Sequence, residues 1–271
     1  MEPILPRPVA PRSPAEVVDA LRAGGPALVA LSGGIDSAVV ALLAREALGE
    51  RAVAVTLVGP SVSEDERRAA RGAARAVGIA HEEVAADPLE REEYRRNPSN
   101  RCYFCRKVET DALRRYGAPR GILQYLDGVH TDDLGDDRPG LVALAEAGFL
   151  HPLLRAGWAK ADVRAFARAR GMPEWDRPSN ACLASRIAHG QEISADLLGR
   201  IDAAEAAVRR RGFRRVRVRV AGTLARIEVD PEEVDRLRAP PMAESLRGEL
   251  GALGFRSVAI DPRGYPARRG G

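Results

Sequence analysis

The stretch Ala27-Leu28-Val29-Ala30-Leu31-Ser32-Gly33-Gly34-Ile35-Asp36-Ser37 decides how this chain folds. Its first five residues are an uninterrupted apolar run, the pattern of a strand buried on both faces. From about Ser37 to Leu48 the pattern turns helical and carries Val39, Val40, Leu42 and Leu43. Between strand and helix lies a loop rich in serine and glycine. In that place backbone N–H groups face outward and the helix N-terminus adds partial positive charge, which together make an anion cradle. Gly33 and Gly34 let the backbone approach a phosphate with no Cβ in the way. Ser32 and Ser37 add hydroxyl donors. Two other nucleotide loops are excluded: no G-x-G-x-x-G ends a strand, and neither lysine follows a glycine as a Walker loop requires.

The same alternation continues outward. Ala52 to Val58 reads as a second buried strand. Ser63 with Glu66 forms a capping box that opens a helix to about Val77. Glu82 to Ala86 reads as a weak third strand, Ile122 to Leu126 as a fourth, and Lys160 to Arg170 as a helix. Strand–helix alternation predicts an α/β fold with a parallel, doubly wound, Rossmann-like sheet over residues 1–188. Near residue 190 the pattern changes. Ser194 caps a helix to about Arg211, two β-like runs follow at Arg214–Val220 and Leu224–Val229, and Asp230-Pro231 starts another helix. A last helix, Met242 to Leu253, leads to a short strand, Ser257 to Ile260. Residues 189–271 therefore read as a smaller α+β domain. In its first strand Val216, Val218 and Val220 alternate with Arg217 and Arg219, which predicts arginines turned outward.

At 271 residues the chain is long enough to bury a substantial core. All but two of its 42 basic side chains are arginine; the exceptions are Lys107 and Lys160. The net charge of +4 is mild, and only 4% of residues are aromatic, so a base-stacking platform is not expected and nucleic acid is not an expected partner. No apolar run approaches the roughly 20 residues that span a membrane. Met1 to Arg12 is proline-rich without an apolar core, so no signal peptide is expected. These features predict a cytoplasmic enzyme or binding protein.

Three cysteines remain, Cys102, Cys105 and Cys182, too few and too odd in number for a secreted disulfide framework. Cys102-Tyr103-Phe104-Cys105 alone fits zinc, an iron–sulfur cluster or a redox dithiol. If all three thiolates converge, they hold three irons of a [4Fe–4S] cluster and leave the fourth open to a sulfide. That suits sulfur transfer better than electron transfer, which uses four cysteines. The carboxylates after the fourth strand, Asp127, Asp132, Asp133, Asp136 and Asp137, with Arg138, lie where α/β sheets place ligands. Arg186, four residues after Cys182, is a candidate partner for a substrate carboxylate or phosphate.

Ser32-Gly33-Gly34-Ile35-Asp36-Ser37 resembles the SGGxDS PP-loop of the ATP pyrophosphatases. The resemblance implies cleavage of ATP to AMP and pyrophosphate. Ser32, Gly33, Gly34, Asp36, Ser37, Asp127 and Gly128 would then hold the nucleotide, and Asp36 would position Mg²⁺. Further along, the chain carries Leu126-Asp127-Gly128, Asp132-Asp133, Asp137-Arg138-Pro139-Gly140-Leu141 and Arg177-Pro178-Ser179-Asn180-Ala181-Cys182. Ser185-Arg186, Arg217-Val218-Arg219 and Ala225-Arg226-Ile227-Glu228 follow. In this order they resemble the LarE family of ATP-dependent sulfur transferases in nickel-pincer nucleotide biosynthesis, over roughly residues 15 to 265. The resemblance implies that the carboxylates of pyridinium-3,5-biscarboxylic acid mononucleotide are adenylated and replaced by thiocarboxylates. Cys182, Asp36 and Arg186 would be the catalytic residues, and Asp132, Asp137 and Arg138 would meet the substrate. One branch of that family sacrifices a single cysteine at the position of Cys182. The added Cys102 and Cys105 resemble the branch thought to use a [4Fe–4S]-bound sulfide. A sulfide donor, other nickel-pincer biosynthesis proteins and further copies of the chain in a homo-oligomer, a hexamer by the resemblance, are the implied partners. Two alternatives stand beside this reading: a tRNA-thiolating PP-loop enzyme and a non-catalytic nucleotide-binding protein of the same fold.

Overall fold

Ser13 and Glu16 close a capping box at the start of helix α1 (Pro14–Ala23), the first element of the described chain. In this computed structural model the described residues are 11–135, 139–173, 175–178 and 182–265. Strand β1 (Ala27–Ala30) follows, then α2 (Ile35–Leu48), β2 (Ala52–Val58), α3 (Glu64–Val77) and β3 (Ala80–Ala85). The short α4 (Glu92–Arg95) belongs to the second unit described below. The first unit resumes with α5 (Arg101–Gly117), β4 (Gln124–Leu126), α6 (Pro139–Glu146), α7 (Pro152–Arg155) and α8 (Lys160–Ala169). No helix is long and apolar enough to cross a membrane.

The four strands form one parallel sheet in the order β3-β2-β1-β4. The chain winds from β1 to β3 in one direction, then returns to add β4 on the other side of β1. The crevice outside the carboxyl ends of β1 and β4 is thus the topological switch point, where open α/β sheets bind ligands. Leu28, Val29 and Leu126 are fully buried, so the run that reads as an apolar strand is covered on both faces. The capping box expected at Ser63 is present: its hydroxyl accepts from the Glu66 amide at 3.2 Å, and the Glu66 carboxylate accepts from the Ser63 amide at 3.0 Å.

Two features differ from the sequence reading. β4 begins at Gln124 rather than Ile122, because the amides of Leu123 and Gln124 both donate to the Pro26 carbonyl and leave Leu123 exposed. Helix α5 runs through the C-x-x-C, a stretch with no clear apolar period. Cys105, Ala112 and Leu113 are buried beside Arg101, Thr110 and Gly117, and Arg106–Glu109 is an ion pair one turn apart.

The second unit comprises Leu89–Ser99 and Ala181–Gly271. It contains α9 (Ala195–Arg209), β5 (Val216–Ala221), β6 (Leu224–Val229), α10 (Val234–Arg238), α11 (Met242–Ala252) and β7 (Ser257–Ile260). β5 pairs antiparallel with β6, and β6 pairs parallel with β7. The sequence places one boundary after residue 188; the packing divides the chain after Asn180 and draws 89–99 into the second unit. The cause is local, since the Arg95 carbonyl accepts from the Ile193 amide at 2.8 Å and the Asn97 carbonyl from Gly190 at 3.1 Å.

Glu205 on α9 anchors this unit. Its side chain is fully buried and accepts from Arg186 Nε at 2.7 Å, Arg209 Nη2 at 2.7 Å and the Val218 amide at 3.1 Å. Burial, the largest single influence, pushes the Glu205 carboxyl up, but Arg186, Arg209 and Arg217 together hold the group below the ordinary glutamate value. The expectation that Arg217 points into solvent is corrected: it is buried, donates to the Val216 carbonyl at 2.8 Å and lies 5.3 Å from the Tyr265 ring centre. Glu228 and Asp261 are also buried. Breaking a buried pair from one side leaves the other charge uncompensated, at about 3–5 kcal/mol. Glu205→Ala should therefore lower the unfolding free energy of the second unit by that order, read as a lower urea midpoint. The depressed carboxyl also makes this contribution fade as pH falls through the glutamate range, and the variant should lack that part of the acid transition. An unchanged midpoint would remove Glu205 as the anchor.

Candidate nucleotide and cysteine sites

The loop after β1 is held by its own hydroxyls. The Ser32 amide donates to Ser37 Oγ at 3.1 Å, Ser37 Oγ donates to the Gly34 carbonyl at 3.0 Å, and the two hydroxyl oxygens lie 3.2 Å apart. Gly34 occupies the N-cap of α2, whose first N–H groups have no intrahelical acceptor. Gly33 has φ +80°, and a Cβ there would stand 2.5 Å from the Glu66 carbonyl of α3. Both the backbone conformation and the close approach of α3 therefore demand glycine. Gly128 is as tightly placed, because a Cβ on it would stand 2.7 Å from the Ser37 amide. The exit of β4 thus lies against the N-terminus of α2.

Asp36 is three-quarters buried and shares both carboxylate oxygens with Lys160 Nζ, each at 2.6 Å. His130 Nε2 lies 3.9 Å from Asp36 and 3.6 Å from Asp133. His130 is buried, and its Nδ1 has no hydrogen-bond partner. A histidine with one orphaned ring nitrogen, whose other nitrogen lies near the carboxylate that pairs with Lys160, suits a polar ligand. The Gly33–Gly34 cradle fits a phosphate, and the Asp36 carboxylate fits a hard cation beside it.

The other expected residues have diverse placements. Asp127 is buried and committed: His151 Nδ1 lies 2.8 Å from its Oδ1, and the Val129 amide donates to it at 3.0 Å. It thus shapes the turn carrying Gly128. Asp132 accepts from the Lys160 amide at 3.1 Å and Asp133 from the His130 amide at 3.1 Å, so these carboxylates organise the loop and the start of α8. Asp136, Asp137 and Arg138 lie outside the described residues. Arg177 donates to Asp65 at 2.7 Å, in the first turn of α3.

Cys102 is exposed in the first turn of α5. Cys105 is buried one turn on, and its thiol donates to Glu109 Oε1 at 3.3 Å. Cys182 belongs to the second unit, where it caps a short turn, Leu183–Arg186. Arg186, expected at the substrate, is fully buried instead. Its guanidinium holds Glu205 and also donates to Ser185 Oγ at 2.9 Å and the Cys182 carbonyl at 3.3 Å. It braces the Cys182 turn. Among the described residues no three His, Cys, Asp or Glu side chains are gathered as a metal site.

Lys160, His130 and His151 are absent from the residues expected on sequence grounds. Lys160 had one available signal. In a chain that uses arginine at nearly every basic position, a retained lysine marks a place for a compact ammonium rather than a planar fork. The two histidines carried no comparable mark.

Comparison with known proteins bears on the family of the chain. Residues 15–97, which include the loop, match the asparagine synthase family. A Synechocystis sp. protein described as uncharacterized is 40% identical over 239 residues, covering 88% of this chain and 89% of its own. An uncharacterized protein of Methanocaldococcus jannaschii is 27% identical over 234 residues, 86% of this chain and 88% of its own. The pyridinium-3,5-bisthiocarboxylic acid mononucleotide synthase of Lactiplantibacillus plantarum is 31% identical over 242 residues, 89% of this chain and 87% of its own. At that identity and coverage, with a PP-loop set at the switch point of a parallel sheet, the chain belongs to the pyridinium-3,5-bisthiocarboxylic acid mononucleotide synthase family.

Proposed function

We propose that this protein is an ATP-dependent sulfurtransferase that converts the carboxylates of pyridinium-3,5-biscarboxylic acid mononucleotide to thiocarboxylates. The observation that carries the reading is the Asp36–Lys160 pair at the mouth of a glycine-lined loop. A substrate carboxylate oxygen attacks the α-phosphorus of ATP, the bond to the β-phosphate breaks, and pyrophosphate leaves. Sulfide then attacks the acyl carbon of the mixed anhydride, and AMP departs with the original oxygen.

The chain's own residues have distinct tasks in this scheme. The N–H groups at the start of α2 and the hydroxyls of Ser32 and Ser37 bind the departing pyrophosphate. Lys160 neutralises Asp36 while the site is free of nucleotide and turns its ammonium to the phosphates when they arrive. Asp36, then free of Lys160, is the residue that would hold a Mg²⁺, which would supply charge neutralisation to the phosphates. Asp127 keeps Gly128 against α2 and so holds the floor of the site. Arg186 acts through the Cys182 backbone rather than by touching substrate.

Cys102, Cys105 and Cys182 are the residues that would hold a [4Fe–4S] cluster, which would supply the sulfide for transfer. The chemistry of the donor set supports this, since the chain has three thiols and no fourth. A sulfide donor and the other proteins of nickel-pincer nucleotide assembly are the proposed partners. The tRNA-thiolation alternative leaned on the arginines of β5. That support is reduced, because Arg217 is buried and Arg219 is bonded to Glu228 and to the Ser185 carbonyl.

Lys160→Met should slow pyrophosphate release by about 10²–10³-fold, the cost of removing one charge-stabilising group, and Lys160→Arg should not restore it. Release at the wild-type rate would leave Lys160 without a role in the phosphate chemistry. Cys182→Ala should keep pyrophosphate release and stop thiocarboxylate formation, read by mass spectrometry as the oxygen-for-sulfur exchange on the pyridinium mononucleotide. Persistence of that product excludes Cys182 from the transfer. Protein purified without oxygen should be brown, with broad absorbance near roughly 400 nm. Colourless protein holding one zinc would overturn the cluster.

A further inference from the structure

Asn97 is fully buried in the second unit and adopts φ +53°, the one left-handed non-glycine residue among those described. Its Nδ2 donates to the carbonyls of Ala188 at 2.8 Å and Gln191 at 3.1 Å, with the Ile187 carbonyl at 3.5 Å. Its own carbonyl accepts from the Gly190 amide at 3.1 Å. Its Oδ1 is buried without a hydrogen-bond partner. Both a left-handed backbone and an orphaned buried oxygen carry a cost, and such costs persist only where the surroundings demand them.

Asparagine is the side chain that meets these demands together. It tolerates the left-handed region through its short polar stem, and it carries two N–H donors at the right reach. Aspartate has the same shape but would aim a carboxylate at three carbonyl oxygens. Glycine would keep the backbone and lose the grip.

What is gripped matters. Residues 187–191 are the chain that leaves the Cys182 turn, and the Ala188 amide also donates to the Val220 carbonyl of β5 at 3.0 Å. The start of the turn is braced by Arg186 and its end by Asn97. In the other direction, Asn97 precedes Cys102 by five residues. We infer that Asn97 is a positioning residue for sulfur transfer: its carboxamide locks the segment after Cys182 and so presents that thiol in one arrangement. The inference rests on the proposed role of Cys182.

The test uses the full chain and two readouts. The first is the rate at which iodoacetamide alkylates Cys182 and Cys102 in full-length protein freed of iron by a chelator, followed by peptide mass spectrometry without substrate. In Asn97→Gly, which keeps the backbone conformation, Cys182 should react about tenfold faster, as loss of one or two hydrogen bonds implies, while Cys102 stays near its wild-type rate. The second is activity: thiocarboxylate formation should fall about tenfold with pyrophosphate release unchanged. Asn97→Asp should behave as Asn97→Gly does. A folded Asn97→Gly protein with wild-type Cys182 reactivity overturns the inference. Should both variants fail to fold, hydrogen exchange on the wild type decides. The Gly190 and Ile193 amides should be among the slowest of the second unit, and fast exchange there overturns the lock. If the wild type makes no thiocarboxylate while Cys182 reactivity still responds, the proposed reaction fails and Asn97 is left as the lock of the Cys182 segment alone. The opposite pair of results fails the positioning role alone.

Discussion

The close approach of Gly128 to the N-terminus of α2 is the constraint on which the nucleotide site depends. A side chain at that position would strike the Ser37 amide at 2.7 Å. The contact exists because β4 pairs with β1 in parallel, Leu126 opposite Val29, so that both strands end at the same level. The loop after β1 and the turn after β4 then face each other across the switch point. Gly33, pressed against α3, closes the other side. Two glycines far apart in sequence thus serve one purpose, to let backbone meet backbone around an anion. Asp127 and His151, buried beneath the turn, keep it from opening.

Charge is distributed with the same economy. The first unit keeps one lysine at the loop, paired with Asp36, so its ammonium is already placed where phosphate charge arrives. The second unit gathers Arg186, Arg209 and Arg217 around Glu205. Burial first, and then the charge of Arg186, push the Arg217 guanidinium down from its ordinary value. Such a cluster gives little net stability compared with an apolar core, but losing one member is costly. Its effect is to fix α9, β5 and the Cys182 turn relative to one another. The arginine bias of the chain therefore divides into surface positions, where the ion pairs are worth little, and a few buried positions that define geometry.

Strands and helices with a strong local pattern were legible without the structure. The apolar run at Ala27, the capping box at Ser63 and Glu66, and the β-like run from Leu224 to Val229 all appear where the pattern puts them. Helix α5 was not legible, because the cysteine, alanine and leucine it buries are spread among charges. Nor was the burial of Arg217: a period of two marks two faces of a strand, but whether the second is covered depends on Tyr265 and Arg186, which come from elsewhere in the chain. The residues of the loop were readable because backbone chemistry selects them locally. Lys160, His130 and Asn97 act through contacts across long separations, and no local pattern marks them.

By itself, the sequence determined the parallel sheet, the anion-binding loop, the family and the set of three thiols, since each follows from residue type and short-range spacing. Only the tertiary structure decided which charges meet. It set Lys160 on Asp36, 124 residues away. It turned Asp127 toward His151, buried Arg186 against Glu205 and closed Asn97 on the chain beyond Cys182. The physical reason is that an ion pair or hydrogen bond depends on distance and burial, and the packing of the elements alone sets both.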